Sequence, residues 1–151
     1  MSSTYIYVTY IRATRERVWD ALTNPEFMKQ YWFGMTQECE WKPGAPWTMK
    51  FSDGRVADAG EVLEIDPPNR LVLKWRNEFR PELKAEGYSR CVYELDEDGD
   101  VTRLTITHSI ERDRARFIEA VSGGWPRVLS SLKTLLETGA SLPRSHNAPH
   151  T

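Results

Sequence analysis

The feature that most narrows the fold is a change of period near the C-terminus. Val128, Leu129, Leu132, Leu135 and Leu136 recur at i, i+1, i+4, i+7 and i+8, which is one apolar face on a helix of several turns. Gly139 stands where that helix should end, because a residue without Cβ takes the left-handed cap conformation without steric cost. Most of the chain before it alternates with a period of two. One long helix after a series of strands buries its stripe against the apolar face of a single antiparallel sheet. The expected class is therefore α+β, a curved antiparallel sheet wrapped around a long C-terminal helix.

The remaining elements follow in order. Tyr5 to Ile11 is aromatic and β-branched, the composition of a strand. Thr14 sits at an N-cap with Glu16 in the first turn, and Val18, Trp19 and Leu22 share a face of the short helix that follows. Asn24-Pro25 starts a second short helix carrying Phe27, Met28, Tyr31 and Trp32. About six strands come next. Trp47, Met49 and Phe51 alternate before a turn at Ser52-Asp53-Gly54, and Val62, Leu63 and Ile65 end at Asp66-Pro67-Pro68-Asn69. Leu71, Leu73 and Trp75 alternate again. Arg76 to Gly87 reads as a long charged loop. Cys91, Tyr93 and Leu95 then pair across a turn at Asp96 to Asp100 with Leu104, Ile106 and His108. Arg112 to Val121 reads as a short helix interrupted at Gly123-Gly124, a pair that lets two helices meet at an angle.

At 151 residues the chain suits one domain, placed at residues 1–139. Residues 140–151 lack apolar rhythm and are expected to be disordered. Twenty Lys and Arg against 22 Asp and Glu leave no basic excess to neutralise a phosphate backbone, which argues against nucleic acid as partner. The longest apolar run, Tyr31 to Met35, is far short of the ~20 residues that a membrane span needs. No export signal is visible at the N-terminus. Cys39 and Cys91 have no metal spacing and suggest ordinary packing in a reducing cytoplasm. His146 and His150 are too few for a metal site, and no cofactor fingerprint, phosphate loop or serine elbow occurs.

Four runs resemble a known family. Ile11 through Pro25, with Trp32 beyond it, resembles the first strand and helical hairpin of the AHSA-type group, named for homologues of an activator of a heat-shock chaperone ATPase, within the START-like (SRPBCC) helix-grip superfamily. Gly60 through Trp75 resembles its central hairpin, Thr102 through His108 its last strand, and Gly124-Trp125 through Glu137 its C-terminal helix. The resemblance implies a helix-grip fold with two short helices after the first strand. It also implies one internal cavity that the superfamily uses for lipid carriage, aromatase and cyclase chemistry, hormone reception and chaperone co-activation.

A sheet wrapped on a helix is expected to leave a gap where a small hydrophobic or aromatic molecule, a lipid included, can sit. Its expected lining is Trp32 and Phe33 from the helical hairpin, Met49, Phe51, Leu73, Trp75, Tyr93, Ile106 and His108 from the strands, and Trp125, Val128, Leu129 and Leu132 from the long helix. Trp32, Trp75 and Trp125 are either walls of that gap or plain core. His108 shares inward parity with Leu104 and Ile106, so it either orients a ligand and serves as a general base, or is a satisfied core donor. Tyr93 is a further polar anchor. Glu61 shares parity with Leu63 and Ile65 and is an anchor too, unless a bulge at Gly60 turns it to water. Arg76, Glu78 and Arg80 form either a flap or a solvated loop. The leading reading is a binding domain, monomeric or homodimeric, without cofactor. The others are a cyclase-like enzyme and a chaperone-interacting module acting through its outer surface.

Overall fold

The computed structural model describes residues 2–143. In chain order the elements are β1 (Ser3–Ile11), α1 (Arg15–Thr23), α2 (Pro25–Tyr31), β2 (Thr36–Cys39), β3 (Pro46–Lys50), β4 (Val56–Asp66), β5 (Arg70–Asn77), α3 (Pro81–Lys84), β6 (Ser89–Asp98), β7 (Val101–Ile110) and α4 (Arg116–Thr138). The strands form one seven-stranded antiparallel sheet, ordered β1-β7-β6-β5-β4-β3-β2. It is a meander from β2 to β7, with β1 added beyond β7. The inner face meets α4, whose buried stripe includes Val128, Leu129, Leu132, Leu135 and Leu136. This is the helix-grip arrangement.

Local chemistry explains where the short helices begin. The Thr14 side chain accepts from Arg17 N and the Asn24 side chain accepts from Glu26 N, each satisfying an amide that the helix itself cannot. Gly139 closes α4 at φ 88°. At the other end of α4, Ala115 offers no capping side chain. Glu86, from the turn after α3, takes over: its carboxylate accepts from Arg116 N at 3.0 Å and Phe117 N at 2.9 Å.

Several expectations need correction. α4 runs unbroken through Gly123-Gly124 and carries Pro126 within it, and it starts at Arg116 rather than Arg112. Burial of Val121, Gly124, Trp125 and Val128 against the sheet outweighs the poor helix propensity of that stretch. The presumed loop from Arg76 contains α3, and β2 is a four-residue strand too polar to recognise by alternation. Phe51 lies just past the end of β3. β4 is irregular at Leu63, where pairing with β5 shifts between Val62 and Glu64, and at Ala57, where pairing with β3 shifts, but not at Gly60. Ala140 to Pro143 carry no regular structure, while the rest of the presumed tail, with His146 and His150, lies outside the described residues.

The two outer strands end the sheet differently. β2 is short. On β1 the open side is met by α4: Lys133 Nζ donates to Tyr10 O at 2.5 Å and Arg12 N donates to Glu137 Oε2 at 2.7 Å.

Gly60 controls the centre of the sheet. It pairs with Trp47 on β3 and with Trp75 on β5. A Cβ built there would lie 1.7 Å from Lys74 O and 2.5 Å from Lys74 C, both backbone atoms. With no side chain between them, the rings of Trp47 and Trp75 meet at 4.6 Å across the glycine. Gly60→Ala should therefore lower unfolding free energy by about 3 kcal/mol in urea titrations, because β4 and β5 must separate. Glu86→Ala should cost about 1 kcal/mol through loss of the remote cap.

Candidate functional site

Three tryptophans from three elements converge under α4. Trp32 caps α2, Trp75 lies on β5 and Trp125 on α4. Their ring centroids are 5.4 Å apart for Trp32–Trp125, 5.8 Å for Trp75–Trp125 and 6.4 Å for Trp32–Trp75. Tyr93 meets Trp125 edge-on at 5.9 Å. The space that Trp32, Trp75 and Trp125 enclose with Val121 has no room for a water molecule, so the gap expected at this point is closed by the rings themselves. Met49, Leu73, Ile106, Val128, Leu129 and Leu132 are buried around them. Phe33 and Phe51 are only half-buried. Phe33 is held in the left-handed region at φ 53°, and Phe51 packs on Phe79 at 4.9 Å with Arg55 over its ring.

His108 is fully buried, and both its nitrogens are engaged. Nδ1 accepts from Trp125 Nε1 at 3.1 Å. Nε2 lies 2.9 Å from Ser89 Oγ, whose hydroxyl donates to Trp75 O at 2.8 Å. An indole N–H only donates, so Nδ1 carries no proton and Nε2–H must donate to Ser89. Every donor in this chain from α4 to β5 has one acceptor. Burial holds the His108 pKa down at about 3, so the ring is neutral near pH 7. It has no free lone pair with which to act as a base. Its geometry is that of a satisfied core donor.

Glu61 is not an interior anchor. It sits opposite Lys74 on the outer face, with its carboxylate 3.7 Å from the Lys74 ammonium and both side chains about 40% exposed. The extra residue at Leu63 separates the parity of Glu61 from that of Ile65. Tyr93 does point inward, and burial pushes its pKa up. The Arg76–Arg80 stretch is docked. Glu78 binds Arg76 at 2.5 Å, Asn77 Oδ1 accepts from Arg80 N, and Leu83 is buried behind them. Both cysteine thiols have raised pKa values, chiefly through burial, as ordinary packing requires.

Asp58 escaped the sequence reading. It shares β4 parity with Gly60 and Val62, which was the available signal, but its stretch is too small and polar to read as a strand. Asp58 is fully buried, cross-strand from Met49 on β3 and Asn77 on β5. Neither carboxyl oxygen has a hydrogen-bond partner, and neither has Asn77 Nδ2 or Trp75 Nε1. Trp75 Nε1 is near enough to favour the ionised carboxylate without reaching hydrogen-bond geometry, but burial dominates and Glu78 adds to it, lifting Asp58 to about 8. Trp32 Nε1 is also unpaired. By contrast, Trp47 Nε1 donates to Gln37 Oε1 at 3.0 Å, and Gln37 in turn donates to Leu22 O.

Comparison with known proteins bears on this arrangement. The family described as "Activator of Hsp90 ATPase homolog 1-like protein" matches residues 12–137. Among solved structures, protein MLL2253 from Mesorhizobium loti is 23% identical with a TM-score of 0.77, over 89% of this chain and 97% of that one. The Aha1 dimer from Colwellia psychrerythraea is 20% identical with a TM-score of 0.72, over 91% and 98%. An HSP90 activator from Plasmodium falciparum is 20% identical with a TM-score of 0.71, over 89% and 96%. These likenesses are of fold. No curated protein matches. No helix among the described residues is long and apolar enough to cross a membrane.

Two of the buried titratable groups, His108 and Asp58, pull stability in opposite directions. His108, held below its unfolded value, contributes stability that is present above about pH 6.5 and lost as pH falls towards 3. Asp58, held above its unfolded value, contributes stability that is present below about pH 4 and lost as pH rises through 8. Urea unfolding should therefore show Asp58→Asn gaining on the wild type by a few kcal/mol between about pH 5 and pH 8.5. Imidazole NMR signals of His108 should not titrate down to about pH 4.

Proposed function

We propose that this chain, which belongs to the Activator of Hsp90 ATPase homolog 1-like family, binds a small, flat, largely apolar molecule between the sheet and α4. The supporting observation is the contrast among its tryptophans. Trp47 and Trp125 have their indole N–H groups hydrogen-bonded, whereas Trp32 and Trp75 bury theirs without a partner. An unsatisfied buried donor costs about 1–3 kcal/mol, so this closed interior is less stable than one in which an acceptor reaches those two N–H groups. A flat ligand inserted among the rings supplies apolar area and an acceptor together.

Entry requires the rings to part, and two weak points flank them. Pro126 gives no N–H to the carbonyl of Ser122, and Gly123-Gly124 lowers helix propensity in the same turn, beside Trp125. On the other side, Trp32 is followed by Phe33 and Gly34, both at positive φ. In this reading Phe33, Tyr93, Leu73, Ile106 and the α4 residues Val128, Leu129 and Leu132 line the opened site, while His108 fixes Trp125 rather than touching a substrate. The ligand binds without cofactor or metal, in a monomer or homodimer working in a reducing cytoplasm, a setting that suits the two free cysteines.

A second reading, co-activation of a chaperone through the outer surface, is favoured by the family's own description and by the closed interior. Titration with a lipid and aromatic panel decides between them. The binding reading expects shifts in the indole and backbone signals of Trp32, Trp75 and Trp125, a raised melting temperature, and weaker binding in Trp32→Phe, which loses one N–H but keeps a ring. If no class of molecule moves those signals and the chain instead stimulates a chaperone ATPase, the second reading stands.

A further inference from the structure

We propose that Asp58, flanked by Asn77 Nδ2 and Trp75 Nε1, is the polar end of this binding site and selects aromatic molecules that carry an uncharged hydroxyl, phenolic or enolic. The inference rests on the binding reading above and adds to it the chemistry of the ligand. Trp75 links the two parts: its ring walls the closed gap with Trp32 and Trp125, and its nitrogen lies beside the Asp58 carboxyl.

The hydrogen-bond inventory dictates the class. Asn77 Oδ1 already accepts from Arg80 N at 2.9 Å, whereas its Nδ2 donors are wholly unspent. Trp75 Nε1 is a donor. Both Asp58 oxygens are free of partners. A carboxyl buried there, with Glu78 close enough to oppose its charge and no cation paired with it, stays protonated near neutral pH and so offers one donor and one acceptor. The cluster thus holds donors on three side chains and an acceptor on one. An ammonium group, which only donates, leaves Asn77 and Trp75 unsatisfied. A hydroxyl oxygen accepts from them and returns its own proton to the Asp58 carbonyl oxygen. The nearby Tyr93, itself kept neutral by burial, adds no charge that would alter this balance.

The test uses the whole chain and three probes of equal ring size: naphthalene, 2-naphthol and the cationic 1-naphthylmethylamine, followed by tryptophan fluorescence and NMR near pH 7. The inference expects 2-naphthol to bind about tenfold more tightly than naphthalene. It expects Asp58→Leu to reduce that preference to less than about twofold with naphthalene affinity kept, and Asp58→Asn, neutral and of the same shape, to retain most of it. Should Asp58→Leu fail to fold, Asp58→Asn and the wild-type probe ranking carry the test. Equal affinity for naphthalene and 2-naphthol in the wild type overturns the role of Asp58 while leaving the binding reading intact. Tightest binding of the amine overturns the assignment of an uncharged hydroxyl. If none of the three binds, this inference falls, and the wider panel described above decides the binding reading separately.

Discussion

The interior is organised around Trp75, and Trp75 is placed by the absence of a side chain at Gly60. Four aromatic partners, Trp32, Trp47, Trp125 and His108, lie within 6.4 Å of its ring. Only because β4 and β5 approach so closely at Gly60 can a ring from each side cross the strand between them. A curved sheet gripping one helix encloses more volume at its wide end than leucines fill, and rings fill it with few rotamers to freeze. The consequence is an interior that is both tightly packed and poorly served with hydrogen-bond partners.

That shortage is unevenly shared. On the β6–β7 side, the relay from Trp125 through His108 and Ser89 to the backbone of Trp75 satisfies each buried donor once, and it ties α4 to β5 across the sheet. On the β3–β4–β5 side, Asp58, Asn77 and the Trp75 nitrogen stand together without closing any bond among themselves. The first group is architectural, holding the helix. The second, left without partners of its own, is the cluster proposed above to meet a ligand hydroxyl.

Much of the architecture could be read from residues. The leucine stripe of α4, the caps at Thr14, Asn24 and Gly139 and the alternation of β5, β6 and β7 are local signals, and local geometry obeyed them. The convergence of Trp32, Trp75 and Trp125 and the inward aim of His108 also followed from parity and element order. What escaped depended on distant parts of the chain. The unbroken course of α4 through two glycines and a proline is imposed by the sheet beneath it. The place of the bulge at Leu63 is set by pairing between strands, and with it the outward turn of Glu61. Asp58 was hard to see because burial in a short run of small residues is decided by its neighbours on β3 and β5, and its parity with Gly60 and Val62 is a weak mark. The cap supplied by Glu86 to a helix 30 residues later has no sequence signature at all.

The treatment of β1 by α4 has a further consequence. Strand edges are templates for further strands, and a chain with Ile6, Val8 and Tyr10 exposed on its first strand would ordinarily be at risk of growing into fibres. Here Lys133 and Glu137, one helical turn apart and ion-paired at 2.7 Å, occupy the main-chain groups at Tyr10 and Arg12 that a newcomer would need. The helix that grips the sheet from within also holds one end of its rim, so a strand adding there would have to displace the element that holds the whole molecule together.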